Sequence, residues 1–74
     1  MAKARPLVIC VDNSGYEVSL ERRKIYVSIP DAAASRKGLV RVVDESGADY
    51  LYPQGKFVAA TLPASVRRAV LHAA

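Results

Sequence analysis

Apolar and polar positions alternate along the chain in short blocks, and these blocks carry the first reading. "LVICVDN" (residues 7–13) is an apolar run rich in β-branched residues that stops at "DNSG", as a strand running into a turn does. A long polar excursion follows, "SGYEVSLERRK", with Tyr16, Val18 and Leu20 at alternate positions. It reads as a hairpin-like loop that folds back on the sheet. "KIYVSIP" alternates cleanly, with Ile25, Val27 and Ile29 on one face and Tyr26 and Ser28 on the other. This predicts a half-buried strand ended by Pro30.

"DAAASRKG" (31–38) compresses the signals of a helix into one or two turns. Asp31 can cap the free N–H groups, three alanines propagate, Arg36 and Lys37 suit the C-terminal end, and Gly38 can take a left-handed cap. "LVRVVDESGADYLYP" then reads as strand, turn, strand, with the hairpin turn at 44–47 and Gly47 at a positive-φ position. By alternation Tyr50 and Tyr52 share one face and Leu51 takes the other. We expect the two rings to face inward, with their hydroxyls at the rim. "QGK" is a short turn and "FVAA" a last strand. "TLPASVRRAVLHAA" ends the chain as a helix, with Pro63 in its first turn. Leu62, Val66, Val70 and Ala73 form its apolar stripe, and Arg67, Arg68 and His72 lie mostly off it.

Five short strands, a long first loop and a late tight hairpin predict a mainly β fold: a small closed five-stranded barrel over residues 7–61, since closure removes sticky edges. The C-terminal α-helix over residues 62–74 is expected to pack on the barrel or on a partner, because isolated helices of roughly a dozen residues are marginal in water.

Composition narrows the picture. Seventy-four residues make one domain with a small core. There is no Trp and one Phe, so the four tyrosines must supply most of the large side chains. A single Cys excludes an internal disulfide and a thiolate metal cage, and Cys10, inside "LVICV", reads as buried and inert. The apolar run after Lys3 and Arg5 is ended by Asp12, short of the roughly 7–15 residues of a signal peptide, and nothing nears the ~18 of a membrane span. The chain therefore reads as cytoplasmic and soluble, with no membrane partner.

The net charge of +4 suggests nucleic acid until it is located. Between Leu7 and Leu62 seven bases are matched by seven acids, and the surplus sits on the ends in Lys3, Arg5, Arg67 and Arg68. A phosphate-binding face concentrates positive charge on the fold itself. Only "RRK" at 22–24 forms a local basic patch, and Glu21 adjoins it.

Two further stretches carry a likeness. "CVDNSGYEVSLERRKIYVSIPD" followed by "LVRVVDESGADYLYPQGKFV" resembles a group of short bacterial and phage proteins without an assigned activity. Their pattern is Cys-x-Asp/Glu-Asn-x-Gly, then Ser-Leu-x-x-Gly-Lys-x-Tyr, then Asp-x-Gly-x-x-Tyr-x-Tyr-Pro-x-x-x-Phe. Cys10, Asp12, Asn13, Gly15, Ser19, Leu20, Lys24 and Tyr26 fit the first two parts, with Arg23 standing where the pattern has Gly. Gly47, Tyr50, Tyr52, Pro53 and Phe57 fit the third, and its Asp is answered by Asp44, one residue further from Gly47 than the pattern places it. The likeness spans about residues 8 to 59 and implies a Src-homology-3-like barrel, a statement about fold and not about activity. Src-homology-3 domains bind proline-rich peptides in an aromatic groove, often with a Trp. This chain has no Trp, its long loop lacks a dense acidic cluster, and Pro53 and Phe57 are one residue further apart than in that groove. The aromatic row therefore reads mainly as core.

No catalytic constellation appears. His72 is the only histidine and lies near the chain end. Asp44 and Glu45 are adjacent, diverge in a turn, and read as solvated. The spacing of Asp44, Glu45 and Asp49 does not fit a calcium loop, the serine of "DNSG" has no nearby histidine, and the four glycines are too scattered to cradle a phosphate. We expect no enzyme, no cofactor and no metal. The expected function is a protein-interaction or accessory module, with a nucleic-acid-binding small barrel as the alternative. Tyr16, Arg22, Arg23, Lys24 and Pro53 are the candidate partner-binding residues.

Overall fold

A computed structural model of the chain describes residues 6–73. Its elements are β1 (Leu7–Cys10), β2 (Ile25–Ile29), α1 (Ala32–Arg36), β3 (Leu39–Val43), β4 (Asp49–Pro53), a 3₁₀ turn (Gln54–Lys56), β5 (Phe57–Ala59) and α2 (Ala64–Leu71). The fold is mainly β, with five antiparallel strands in the order β4-β3-β2-β1-β5 and a small C-terminal helix.

β2 is the strand on which the sheet turns. Its first half, Ile25 to Val27, pairs with β1, and its second half, Ser28 and Ile29, pairs with β3. A strand shared in this way bends the sheet, and the two outermost strands then face each other. Tyr52 of β4 and Phe57 of β5 meet edge to face at 6.1 Å, and Tyr26 of β2 meets Phe57 at 6.5 Å. Among the described residues no hydrogen-bonded pairing joins β4 to β5, so the sheet stays open where the strand count led us to expect closure. Aromatic side chains bridge the gap instead. They can do so because each large ring spans a distance that would otherwise require backbone pairing.

The enclosed cluster consists of Cys10, Leu20, Tyr26, Val42, Tyr52 and Phe57, with Val8, Tyr16 and Val40 packed against it. Cys10 is fully buried opposite Phe57, as expected of an apolar strand residue. On β2 it is Tyr26 and Ser28 that point into this cluster, and Ile25, Val27 and Ile29 are half-buried on the outer face. Tyrosine supplies the volume that the missing Trp and Phe residues do not, and Ser28 is accommodated because its hydroxyl donates to the Pro6 carbonyl at 3.0 Å. Leu7 lies opposite Val27 on the outer face and is itself buried, so apolar contacts line both sides of β1 and β2.

The short helix forms as its residues predict. Asp31 caps it by accepting the Ala34 N–H at 3.0 Å, and Gly38 follows it at φ +73. The Asp31 carboxylate also meets Arg41 on β3 at 2.9 Å, and Arg41 reaches Asp49 on β4, so one guanidinium ties helix, β3 and β4 together. The terminal helix is shorter than predicted. Pro63 sits at its N-cap with ψ 149, outside the first turn, because no side chain there caps the helix and the extended backbone persists to that residue. None of its residues is buried, and Val66 of the expected stripe is exposed, whereas Leu62 and Val70 are half-buried. Ala73, just past α2, lines the same surface hollow as Ile25, Val27 and Val43, so the helix end lies by the outer face of β2 and β3. Lys3, Arg5 and Ala74, named in the charge and helix readings, fall outside the described residues.

Candidate functional site

The loop at residues 11–24 and the hairpin turn at 44–48 form one end of the molecule. Two anchors set the loop. Leu20 is fully buried, and Tyr16 packs edge-on against Tyr52 at 5.0 Å. Between them the chain makes a tight turn in which the N–H groups of Ser19 and Leu20 both donate to the Tyr16 carbonyl, at 2.9 and 2.8 Å. The Asn13 side-chain amide donates to the Leu20 carbonyl at 3.1 Å and closes the loop across its base. Asp12 accepts the Ser14 N–H at 2.9 Å with one oxygen and meets the Lys56 ammonium at 3.3 Å with the other. The hydrogen bonds from Ser14 first, then that from Lys56, lower its carboxyl to about 2. Lys56 in turn sits over the Tyr16 ring at 5.6 Å.

The loop is also fastened to the rest of the fold. The Glu45 N–H donates to the Ser19 carbonyl at 3.1 Å, and the Glu21 N–H donates to the Tyr26 hydroxyl at 2.7 Å. A strand-like alternation would have placed Tyr16, Val18 and Leu20 on one side. The turn instead sends Tyr16 and Leu20 inward and leaves Val18 96% exposed. A valine is thus held out into solvent by a backbone hydrogen-bonded on both sides of it.

The hairpin corrects the expectation of a solvated turn. Asp44 is 7% exposed, and one carboxylate oxygen accepts the Tyr52 hydroxyl at 2.6 Å. The other accepts the N–H of Ser46 at 2.8 Å and its hydroxyl. Burial pushes this carboxyl up, but the hydrogen bonds from Ser46 and Tyr52 outweigh it and hold the group below its ordinary value. Glu45 pairs with Lys24 at 2.6 Å and accepts the Tyr26 hydroxyl, and these two donors lower its carboxyl. Burial and the neighbouring carboxylates push both phenols up, Tyr52 to about 12. The tyrosines therefore act as neutral donors and the acids as ionised acceptors, each committed to the other. Such pairs rigidify a site.

The candidate binding residues divide between two places. Tyr16 is half-buried, with one face over Tyr52. Arg22 and Arg23 are exposed beside the loop, and Arg23 adopts φ +74. Lys24 is exposed but engaged, paired with Glu45 and, at 3.7 Å, with Glu21, and lies over the Tyr26 ring. These four share the loop end. Pro53 does not join them: it pairs with Leu39 at the far end of β4, on the face opposite Tyr52. Tyr50 and Tyr52 do share a face, but only Tyr52 is buried, and Tyr50 is 55% exposed beyond the edge of the cluster.

Sequence reasoning gave Val18 and Tyr26 no role here and read Asp44 and Glu45 as solvated. For Asp44 a signal existed: Ser46 two residues on favours an Asx turn, and the hairpin register brings Tyr52 back alongside. Among the described residues no group of three or more acids, histidines or cysteines could hold a metal ion, and no helix is long and apolar enough to cross a membrane. Comparison with protein families, with characterised proteins and with solved structures returned no match to this chain.

Proposed function

We propose that this chain is a non-enzymatic protein-interaction module built on a partly open Src-homology-3-like barrel, with the loop at residues 11–24 as its contact face. The bent five-stranded sheet with side chains filling the β4–β5 gap supports the barrel reading. One observation carries the functional reading: Val18, 96% exposed, stands on a loop whose backbone is fixed by Tyr16, Leu20 and Glu45. A fixed apolar side chain loses little conformational freedom on binding and buries nearly its whole surface against a partner. Tyr16 and the Arg22–Arg23 pair lie on the same loop, giving the aromatic and guanidinium content common in protein interfaces. The proposed setting is the cytoplasm, where a lone thiol such as Cys10 stays reduced.

The test is affinity capture from the native cell with the full chain, alongside Val18→Asp and the pair Arg22→Glu and Arg23→Glu. A protein recovered by the parent chain and lost with Val18→Asp supports the reading. Equal recovery with both variants refutes it. The nucleic-acid alternative rests on a separate observation: Arg22 and Arg23 make no ion pair among the described residues. An NMR titration with mixed-sequence oligonucleotides decides it. Salt-sensitive shifts on Tyr16, Arg22, Arg23 and Lys24 would promote that alternative, and no shift at physiological salt is the expected result.

A further inference from the structure

The outer edge of β4 has a backbone pattern that nothing described so far uses. At one end of the β3–β4 ladder the Asp44 N–H donates to the Ala48 carbonyl, and at the other the Gln54 N–H donates to the Gly38 carbonyl. In an antiparallel ladder hydrogen-bonded pairs recur at every second residue. Tyr50 and Tyr52 therefore turn their N–H and C=O groups to β3, while those of Asp49 and Leu51 point away from it. Among the described residues no strand pairs with this edge. The register from Val43↔Asp49 to Leu39↔Pro53 is unbroken, with no bulge, and β4 carries no lysine. Of the usual edge-blunting features it carries Pro53 at its end and one charge, Asp49, which is paired with Arg41 on the neighbouring strand. Both side chains at the centre of the edge are apolar and exposed: Tyr50 on the inner face and Leu51, 42% exposed, on the outer.

We propose that this edge pairs with the same edge of a second copy, antiparallel about a two-fold axis through Tyr50. The outward residues are at odd positions, so a register that places Asp49 opposite Leu51 of the other copy joins all four free backbone groups on each side. Pro53, which has no N–H to give, falls outside the ladder. Tyr50 then meets its own counterpart across the non-hydrogen-bonded position, where cross-strand side chains lie closest. No like charges oppose each other, since Asp49 faces a leucine.

Charge favours the same occupant. The turn end of β4 carries Asp44, Glu45 and Asp49; Lys24 pairs with Glu45 and Arg41 with Asp49, but Arg41 is shared with Asp31, so this end keeps a net negative charge. The Pro53 end lies beside the C-terminus of α1, held there by the bonds from Gln54 to Ser35 and Gly38. That terminus bears Arg36 and Lys37, which make no ion pair among the described residues. Antiparallel pairing necessarily lays the acidic end of one copy beside the basic end of the other, so the edge is electrostatically complementary to itself. A five-residue edge buries less than the roughly 1,200–2,000 Å² of stable complexes, so the association should be weak and visible at the concentrations of an NMR sample.

A dilution series of the full chain tests this, read by amide shifts and by sedimentation. The expected result is a concentration-dependent dimer, with shifts concentrated at the amides of Asp49 and Leu51 and at residues 36–37 and 45–47. Leu51→Glu, an exposed edge position opposite Arg41 in its own chain and opposite Asp49 of the second copy, sets like charges against each other only in the dimer and is expected to raise the dimer dissociation constant roughly tenfold or more. Arg36→Glu with Lys37→Glu should weaken the dimer most at low salt. A chain that stays monomeric at the highest attainable concentration overturns the proposal, as does a dimer that Leu51→Glu leaves unchanged. Shifts at Asp49 and Leu51 caused by an unrelated extended peptide, with none on dilution, would assign the edge to a different chain and overturn it equally.

Discussion

Arg23 is the only residue other than glycine with positive φ among those described, at φ +74. Its N–H donates to the Cys10 carbonyl at 2.7 Å, which fixes the backbone where the long loop enters β2. The side chain is exposed and forms no ion pair among the described residues. The conformation is therefore imposed by the backbone, and the β-carbon bears the strain. An L-residue in this region is disfavoured by roughly 1–2 kcal/mol, a penalty that glycine escapes. Against this, glycine adds about 0.4–1 kcal/mol of freedom to the unfolded chain. The difference leaves Arg23→Gly more stable than the parent by about 0.5–1 kcal/mol, or roughly 2–8 °C in Tm for a domain of this size.

Arg23→Ala separates backbone from side chain. It removes the guanidinium as fully as glycine does but keeps the β-carbon, so it should stay within about 0.5 kcal/mol of the parent. Urea unfolding of the three proteins, followed by circular dichroism, gives the order directly. Arg23→Gly above Arg23→Ala with unchanged slopes is the expected result. The reverse order would show that the left-handed backbone is not what limits this turn, and the reasoning from φ would be refuted. This is also the position where the resemblance pattern has glycine, so the variant restores that pattern.

Two other consequences follow from the hairpin. Tyr52→Phe removes a buried donor from the Asp44 carboxylate and should destabilise by about 1.5–3 kcal/mol in equilibrium unfolding; a change within 0.5 kcal/mol of zero would mean the bond is not what keeps Asp44 buried. Asp12, Asp31, Asp44 and Glu45 all have carboxyl pKa values lowered by folding, so their contribution is fully present above the ordinary carboxylate values of 3.8 and 4.5 and is lost as pH falls through the folded values, to about 2 for Asp12. The urea midpoint should thus drop steadily from about pH 5 toward pH 2, and a flat profile across that window would contradict the assignment.

The local signals in this sequence were legible wherever a residue's own backbone chemistry decided the outcome. Asp31, Gly38 and Gly47 each ended or turned an element where their capping and positive-φ properties indicated. What alternation could not reveal was which face of a strand would turn inward. On β2 the more hydrophobic set, Ile25, Val27 and Ile29, lies outward, because the interior needed ring volume and Tyr26 could supply it while its hydroxyl reached Glu45. The same demand explains Asp44. A core built from tyrosines carries phenol groups to its rim, and those groups require acceptors, so two carboxylates that look like turn polarity are drawn into the structure. Counting seven acids against seven bases also treated every charge as equally available. In the folded chain Asp12, Asp31, Asp44, Glu45 and Asp49 are each bound to a named partner, while Arg22, Arg23, Arg36 and Lys37 are not. The bulk balance remains neutral, but these four basic side chains, against the single acid Glu17, are left to meet another molecule, beside the exposed Val18 and the open edge at Tyr50 and Leu51. What the core leaves unspent is decided by pairing along the chain, from three residues apart for Glu21 and Lys24 to 44 for Asp12 and Lys56, which composition cannot register.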